Sequence, residues 1–177
     1  CILLIILLIA AFFVYRSMQN SDKRALETSE AAGIFANSTT TANFTDFNGN
    51  DANLDQFLGK TLIVNSWASW APSSVEELKL LTSVAKKYRD QDVVVIAINR
   101  AETRRTAESF LKTLGLSDEV LLIVDVDDRY YKAIDGFTMP ETLVYDKRGE
   151  VVAHKKGAIT EAELTLFLRK ALLVGEE

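Results

Sequence analysis

Sulfur is nearly absent from this chain: its 177 residues include one cysteine, Cys1, at the first position. An intrachain disulfide, a zinc site built on cysteines and a dithiol redox centre each need at least two, so all three are excluded. Histidine is as scarce. A lone His154 cannot make a metal cluster by itself, so neither a metal nor a cofactor is expected. Basic residues are outnumbered, 20 against 25 acidic, for a net charge of −5. No basic stripe with interleaved aromatics exists, which argues against a nucleic-acid partner. Long apolar runs are also missing, with one exception. Cys1 to Tyr15 carries no charge and is followed by Arg16. As a helix that run would reach about 22 Å, short of the roughly 30 Å hydrocarbon core. We expect residues 1–16 to be a membrane anchor, with part of the apolar segment lying upstream. A cleaved signal peptide fits less well because no small-x-small site follows Tyr15, and a lipidated Cys1 fits poorly because no polar tether follows it.

What is present suits one globular domain. Apolar residues make up 48 % and charged residues 25 %, an ordinary balance for a packed core. Residues 17–43 are polar and rich in Ser, Thr, Ala and Asn, and read as a flexible linker. The domain itself is expected over residues 44–174. Phe44 to Phe47 leads into the turn signal Asn48-Gly49, and Leu54 to Leu58 reads as a short helical turn ended by Gly59. Thr61 to Ser66 and Asp92 to Ile98 are apolar runs of strand length, and Val120 to Val124 is another.

Between these strands lie amphipathic helices. Leu78, Leu81, Ala85 and Tyr88 share one face of a helix over 74–89, with Ser74 and Glu77 spaced as a capping box. Ala107, Phe110, Leu111 and Leu114 mark a second, stopped at Gly115. Thr142 to Tyr145 and Glu150 to His154 flank Asp146-Lys-Arg-Gly149 as a hairpin. Thr160 and Glu163 cap a last helix that buries Leu164, Phe167, Leu168, Ala171 and Leu172. The alternation predicts an α/β domain with a mostly parallel sheet, helices on both faces, and antiparallel strands added by the closing hairpin.

Three segments carry a resemblance. Asn65-Ser-Trp67-Ala-Ser-Trp70-Ala71-Pro72-Ser73-Ser74 resembles the thioredoxin-like active-site segment, in which a strand ends in Trp-Ala-x-Trp-Cys-x-x-Cys and opens a helix. Gly59-Lys60 before an apolar strand is similar to the lead-in to that segment. Gly136-Phe-Thr-Met139-Pro140-Glu141-Thr142 is similar to the loop that carries the cis-proline in that superfamily. The helical insert between Ala101 and Gly115, together with the anchor, is similar to the TlpA/ResA/CcmG branch of membrane-anchored thiol–disulfide oxidoreductases, within the wider redoxin (AhpC/TSA-like) group. Pro-Glu-Thr most resembles the CcmG members, which serve cytochrome c maturation. The likeness runs from about Phe44 to Leu173 and implies a thioredoxin-like fold, a central mixed sheet and an extracytoplasmic domain.

Carried over residue by residue, the two cysteines of that family fall on Ala71 and Ser74. A helix N-terminus lowers the first thiol's pKa so that its thiolate attacks a disulfide, and the second thiol resolves the mixed disulfide. Ala71 offers no nucleophile, and the Ser74 hydroxyl neither ionises in range nor forms exchangeable bonds with sulfur. Disulfide exchange, and peroxiredoxin-like chemistry with it, is therefore excluded at this site, and no catalytic residue is expected.

The remaining candidates are weighed against simpler roles. Trp67 reads as core and Trp70 as surface. Pro140, if cis, leaves the Met139 backbone free to pair with an extended peptide. Trp70, Pro72, Met139, Pro140 and Glu141 are thus the candidate peptide-binding residues, although Glu141 without a thiol beside it reads as a solvated or capping carboxylate. Ser74 reads as the N-cap of its helix, and His154 as a solvated histidine on the polar side of its strand. Asp125, Asp127 and Asp128 read as an acidic helix start. Two functional readings stay open: a redox-inactive module binding a protein or peptide client, and a thiol–disulfide oxidoreductase, of cytochrome c maturation or antioxidant type, in a cysteine-less form.

Overall fold

The computed structural model describes residues 44–115 and 119–174. The anchor expected over 1–16 and the linker over 17–43 lie outside the described residues. Among the described residues no helix is long and apolar enough to cross a membrane.

The strands are β1 (Phe44–Asp46), β2 (Asp51–Ala52), β3 (Thr61–Trp67), β4 (Val93–Arg100), β5 (Leu121–Asp125), β6 (Glu141–Tyr145) and β7 (Val151–Lys156). They form one sheet in the order β2-β1-β5-β4-β3-β6-β7. Only β3–β4 and β4–β5 pair in parallel; the other four neighbouring pairs are antiparallel. The expectation of a mostly parallel sheet is thus corrected to a parallel centre with antiparallel flanks. The reason is topological: the Asn48-Gly49 turn and the 146–149 hairpin each add antiparallel strands, one set at each edge.

Side chains alternate across the sheet because successive residues of a strand face opposite ways. Ile63 and Trp67 of β3 with Val95 and Ala97 of β4 face one side. There they pack on α1 (Ser74–Lys87) through Leu78 and Leu81, and on α4 (Glu161–Leu173) through Leu164 and Leu168. Ala107 of α2 (Arg104–Lys112) joins the same cluster, and Trp67 stacks on Phe110 at 5.5 Å between ring centroids. Leu62, Val64, Ile96 and Ile98 face the other side, against Leu54 and against Tyr130 of the short helix α3 (Arg129–Ala133). That layer is closed by a buried hydroxyl pair, Tyr130 and Tyr145, at 2.9 Å.

Two helix starts with the same Ser/Thr-x-x-Glu spacing turn out differently. Thr160 and Glu163 form the expected capping box on α4. At α1 the N-cap position is Ser73, which makes no side-chain cap bond, and Ser74 is already inside the first turn. Ser74 is fully buried, and its Oγ has no hydrogen-bond partner among the described residues. The capping role expected of Ser74 and Glu77 is therefore incorrect: both side chains point into the protein, one helical turn apart on the same face.

Candidate functional site

Strand β3 runs out at Trp67 toward the start of α1, and antiparallel β6 begins at Glu141, which pairs with Ser66. The register therefore brings the 68–74 turn and the Met139–Pro140 loop to the same end of the sheet. This is the end where the parallel strands finish, the usual edge for sites in α/β sheets. Met139–Pro140 is a cis peptide bond. Trp70 stands 63 % exposed while Trp67 is sealed in the core. Pro72 is exposed, Met139 half-buried and Pro140 buried.

Ala71 is buried beside this surface, and hydrogen bonds from Ala71 N to Ala68 O and from Ser74 N to Ala71 O tighten the turn into α1. Beneath it lies Glu77. Its Oε1 accepts from Asn65 Nδ2 at 2.9 Å and from Thr142 Oγ1 at 2.7 Å, while Asn65 Nδ2 also donates to Thr142 Oγ1. Burial pushes the Glu77 carboxyl up to about 7, and the Thr142 hydroxyl, the Ile159 amide and Lys155 pull it back only in part.

Glu141 is fully buried, so it neither faces solvent nor presents its side chain to a client. Instead it caps the loop. Its Oε1 accepts from Phe137 N at 2.6 Å and Thr138 N at 2.7 Å, and its Oε2 meets His154 Nε2 at 2.7 Å. Burial raises the Glu141 carboxyl, but the Thr138 and Phe137 amides and the His154 imidazole outweigh it and hold it below the ordinary value. His154, expected to be solvated, is thus corrected to a half-buried partner of a carboxylate. The β6–β7 hairpin folds it onto the same side as Glu141, a pairing that the polar alternation of β7 does not reveal.

The loop is held from its other side by α3. Arg100 grips Asp128 through two contacts of 2.8 and 2.5 Å and lies 3.6 Å over the Tyr131 ring centroid. Tyr131 in turn donates its hydroxyl to Thr138 O at 2.9 Å. Gly136 is required here by space: a Cβ on it would meet the Tyr131 ring at 2.4–2.5 Å. The acidic trio is dispersed among structural tasks. Asp125 Oδ2 accepts from Tyr130 N, Asp128 binds Arg100 and Asp127 is exposed.

A central sheet with parallel inner strands, a tryptophan-flanked turn opening a helix, and a proline loop facing that turn define a thioredoxin-like domain. The chain belongs to the Redoxin family, whose model matches residues 35–166, and it is a thioredoxin-like protein of the TlpA/ResA/CcmG type. It is 25 % identical over 167 residues to the thiol-disulfide oxidoreductase ResA of Geobacillus kaustophilus, covering 94 % of this chain and 90 % of that one. It is likewise 25 % identical over 161 residues to ResA of Bacillus subtilis, covering 91 % and 84 %. Among solved structures, StoA from Bacillus subtilis superposes with a TM-score of 0.61 at 21 % identity, over 71 % of this chain and 94 % of that one. A thioredoxin-family thiol:disulfide interchange protein from Chlorobium tepidum does so at 0.63 and 21 %, over 73 % and 92 %.

Proposed function

We propose that this chain is a redox-inactive member of its oxidoreductase family, retained to hold a protein or peptide segment against the surface formed by Trp70, Pro72, Met139 and Pro140. One observation carries the reading. The turn that opens α1 has Ala71 and Ser74 where the family motif has cysteines, and the only thiol in the sequence is Cys1. Without a thiolate at that turn no sulfur–sulfur bond docked there can be attacked, whereas the exposed Trp70 and the Met139 backbone are still available for docking an extended segment. The apolar run of residues 1–16 supports a membrane tether, and the family resemblance, not the run itself, supports a domain outside the cytoplasm. Retention of the full chain by lipid vesicles, and its loss on deleting residues 1–16, tests that tether.

Insulin reduction with dithiothreitol as electron donor tests the main reading. The unmodified chain should give no rate above the dithiothreitol background. Ala71→Cys/Ser74→Cys should give a measurable one, its first thiolate attacking an insulin disulfide and its second thiol releasing the product. Turnover by the unmodified chain would overturn the inactive reading. A folded double variant with no turnover would show that the surface no longer accepts a disulfide-bearing segment.

A further inference from the structure

Trp70 stands mostly in solvent, yet the backbone beneath it is tied down by a residue from another part of the chain. Glu102 lies in the turn between β4 and α2. Its Oε2 accepts from Ser69 N at 2.8 Å and from Asn99 Nδ2 at 2.7 Å, and its Oε1 accepts from Ser69 Oγ at 2.5 Å. Ser69 is therefore held through both backbone and side chain, between a tryptophan locked in the core and one exposed to partners. The turn that delivers Glu102 is itself strained. Ala101 has φ +53, a left-handed conformation that a side-chain-bearing residue adopts at a cost, and its N–H is fixed to Asp125 O at 2.9 Å. Glu102 is not the cap of α2, which has its own in Thr103, whose hydroxyl accepts from Thr106 N.

We infer that Glu102 is a positioning residue for the binding surface: it fixes the 68–70 turn so that Trp70 is presented in one orientation. The inference rests on the proposed docking role of Trp70, and it concerns geometry rather than charge. A glutamine can reproduce the whole pattern. Its carbonyl would take the Ser69 and Asn99 donors, and its amide would donate to a Ser69 hydroxyl turned to accept. An alanine would leave the Ser69 amide and the Asn99 amide group without these acceptors, and the turn would be free to rearrange.

The experiment uses the full chain labelled with 5-fluorotryptophan. Its two tryptophans give two fluorine resonances, and that of Trp70 is identified by its loss in Trp70→Phe. Glu102→Ala should broaden the Trp70 resonance or move it toward free fluorotryptophan while leaving that of Trp67 in place. Glu102→Gln should restore it, and Ser69→Ala, which removes one of the three contacts, should displace it less and in the same direction. In the Ala71→Cys/Ser74→Cys background, Glu102→Ala should raise the KM for insulin roughly three- to tenfold with kcat within about twofold, and Glu102→Gln should return KM to the parent value. An unchanged Trp70 resonance in Glu102→Ala would overturn the proposal, as would a Glu102→Gln variant as displaced as the alanine one. If Glu102→Ala does not fold, Ser69→Ala and Glu102→Gln decide the question by the same resonance. Failure of the restored cysteine pair to reduce insulin would count against the docking reading alone, because the fluorine measurement needs no client.

Discussion

Two glutamates, Glu77 and Glu141, lie at the same end of the sheet on opposite faces of it, with 3 % and 0 % of their surface exposed. Their protons behave in opposite ways. Glu77 is driven up to about 7, whereas Glu141 is held below the ordinary carboxylate value. Burial penalises the charged form in both and weighs most at Glu77, which sits deeper in the protein. The donors widen the contrast. Glu141 receives two backbone N–H groups and an imidazole nitrogen, all within 2.7 Å. Glu77 receives a side-chain amide and a hydroxyl on one oxygen, and the Ile159 amide and Lys155 offset its burial only in part. At the end of the sheet where the 68–74 turn lies, the protein keeps one ionised carboxylate that anchors a loop and one carboxyl that can gain or lose a proton near neutrality.

The sharpest way to break this contrast is to remove the anchored group. Glu141→Ala leaves the Phe137 and Thr138 amides and His154 without their acceptor at a buried site, and should cost about 3 kcal/mol in urea unfolding. Glu141→Gln keeps one carbonyl oxygen for the two amides and should cost about 1 kcal/mol. If the alanine variant is as stable as the parent, the loop before Pro140 does not depend on Glu141 and the comparison fails. Loss limited to the Asp135–Thr138 amides in hydrogen exchange would sharpen it, by showing that the anchor acts locally.

Most of the scaffold was legible in the sequence because its signals are local. The periodicity of Leu78, Leu81 and Ala85, the run from Asp92 to Ile98, the Gly149 turn and the Thr160–Glu163 box each lie within about one element, and each appears where expected. The short helix α3 carries little apolar periodicity of its own in five residues, and only its acidic start was visible. The site was legible in its placement but not in its wiring. Trp70 on the surface and Trp67 in the core follow from the motif. The partners of Glu77, by contrast, lie 12 and 65 residues away, and that of His154 lies 13 away across a hairpin with a bulge between Val144 and Tyr145. Ser74-x-x-Glu77 has the spacing of a cap, and only the position of the helix start relative to the sheet shows that both side chains are consumed inside. Glu102 had no sequence signal at all. It is a single carboxylate after a strand, and its function comes from a turn 33 residues earlier.

Glu77 offers the finer test, because its proton should register in stability. Unfolded, it titrates near the ordinary 4.5; folded, near 7. Between those values the folded state holds more protons than the unfolded one, so stability must fall as pH rises through that window. A shift of this size corresponds to at most about 3 kcal/mol lost between pH 4.5 and pH 8. Glu141 and Glu163, whose carboxyls are lowered, act in the opposite sense, but their contribution is complete once pH exceeds the unfolded value and so falls below this window. Glu77→Gln keeps a carbonyl oxygen for Asn65 Nδ2 and Thr142 Oγ1 and cannot ionise. Its urea midpoint, followed from pH 4.5 to 8, should therefore lose the downward slope of the parent, whatever the two proteins' absolute stabilities, because groups common to both cancel in the difference. Parallel slopes would mean that the Glu77 carboxyl titrates in the folded protein as it does in the unfolded chain. The contrast between the two glutamates would then reduce to one of hydrogen-bond count, with no difference in charge.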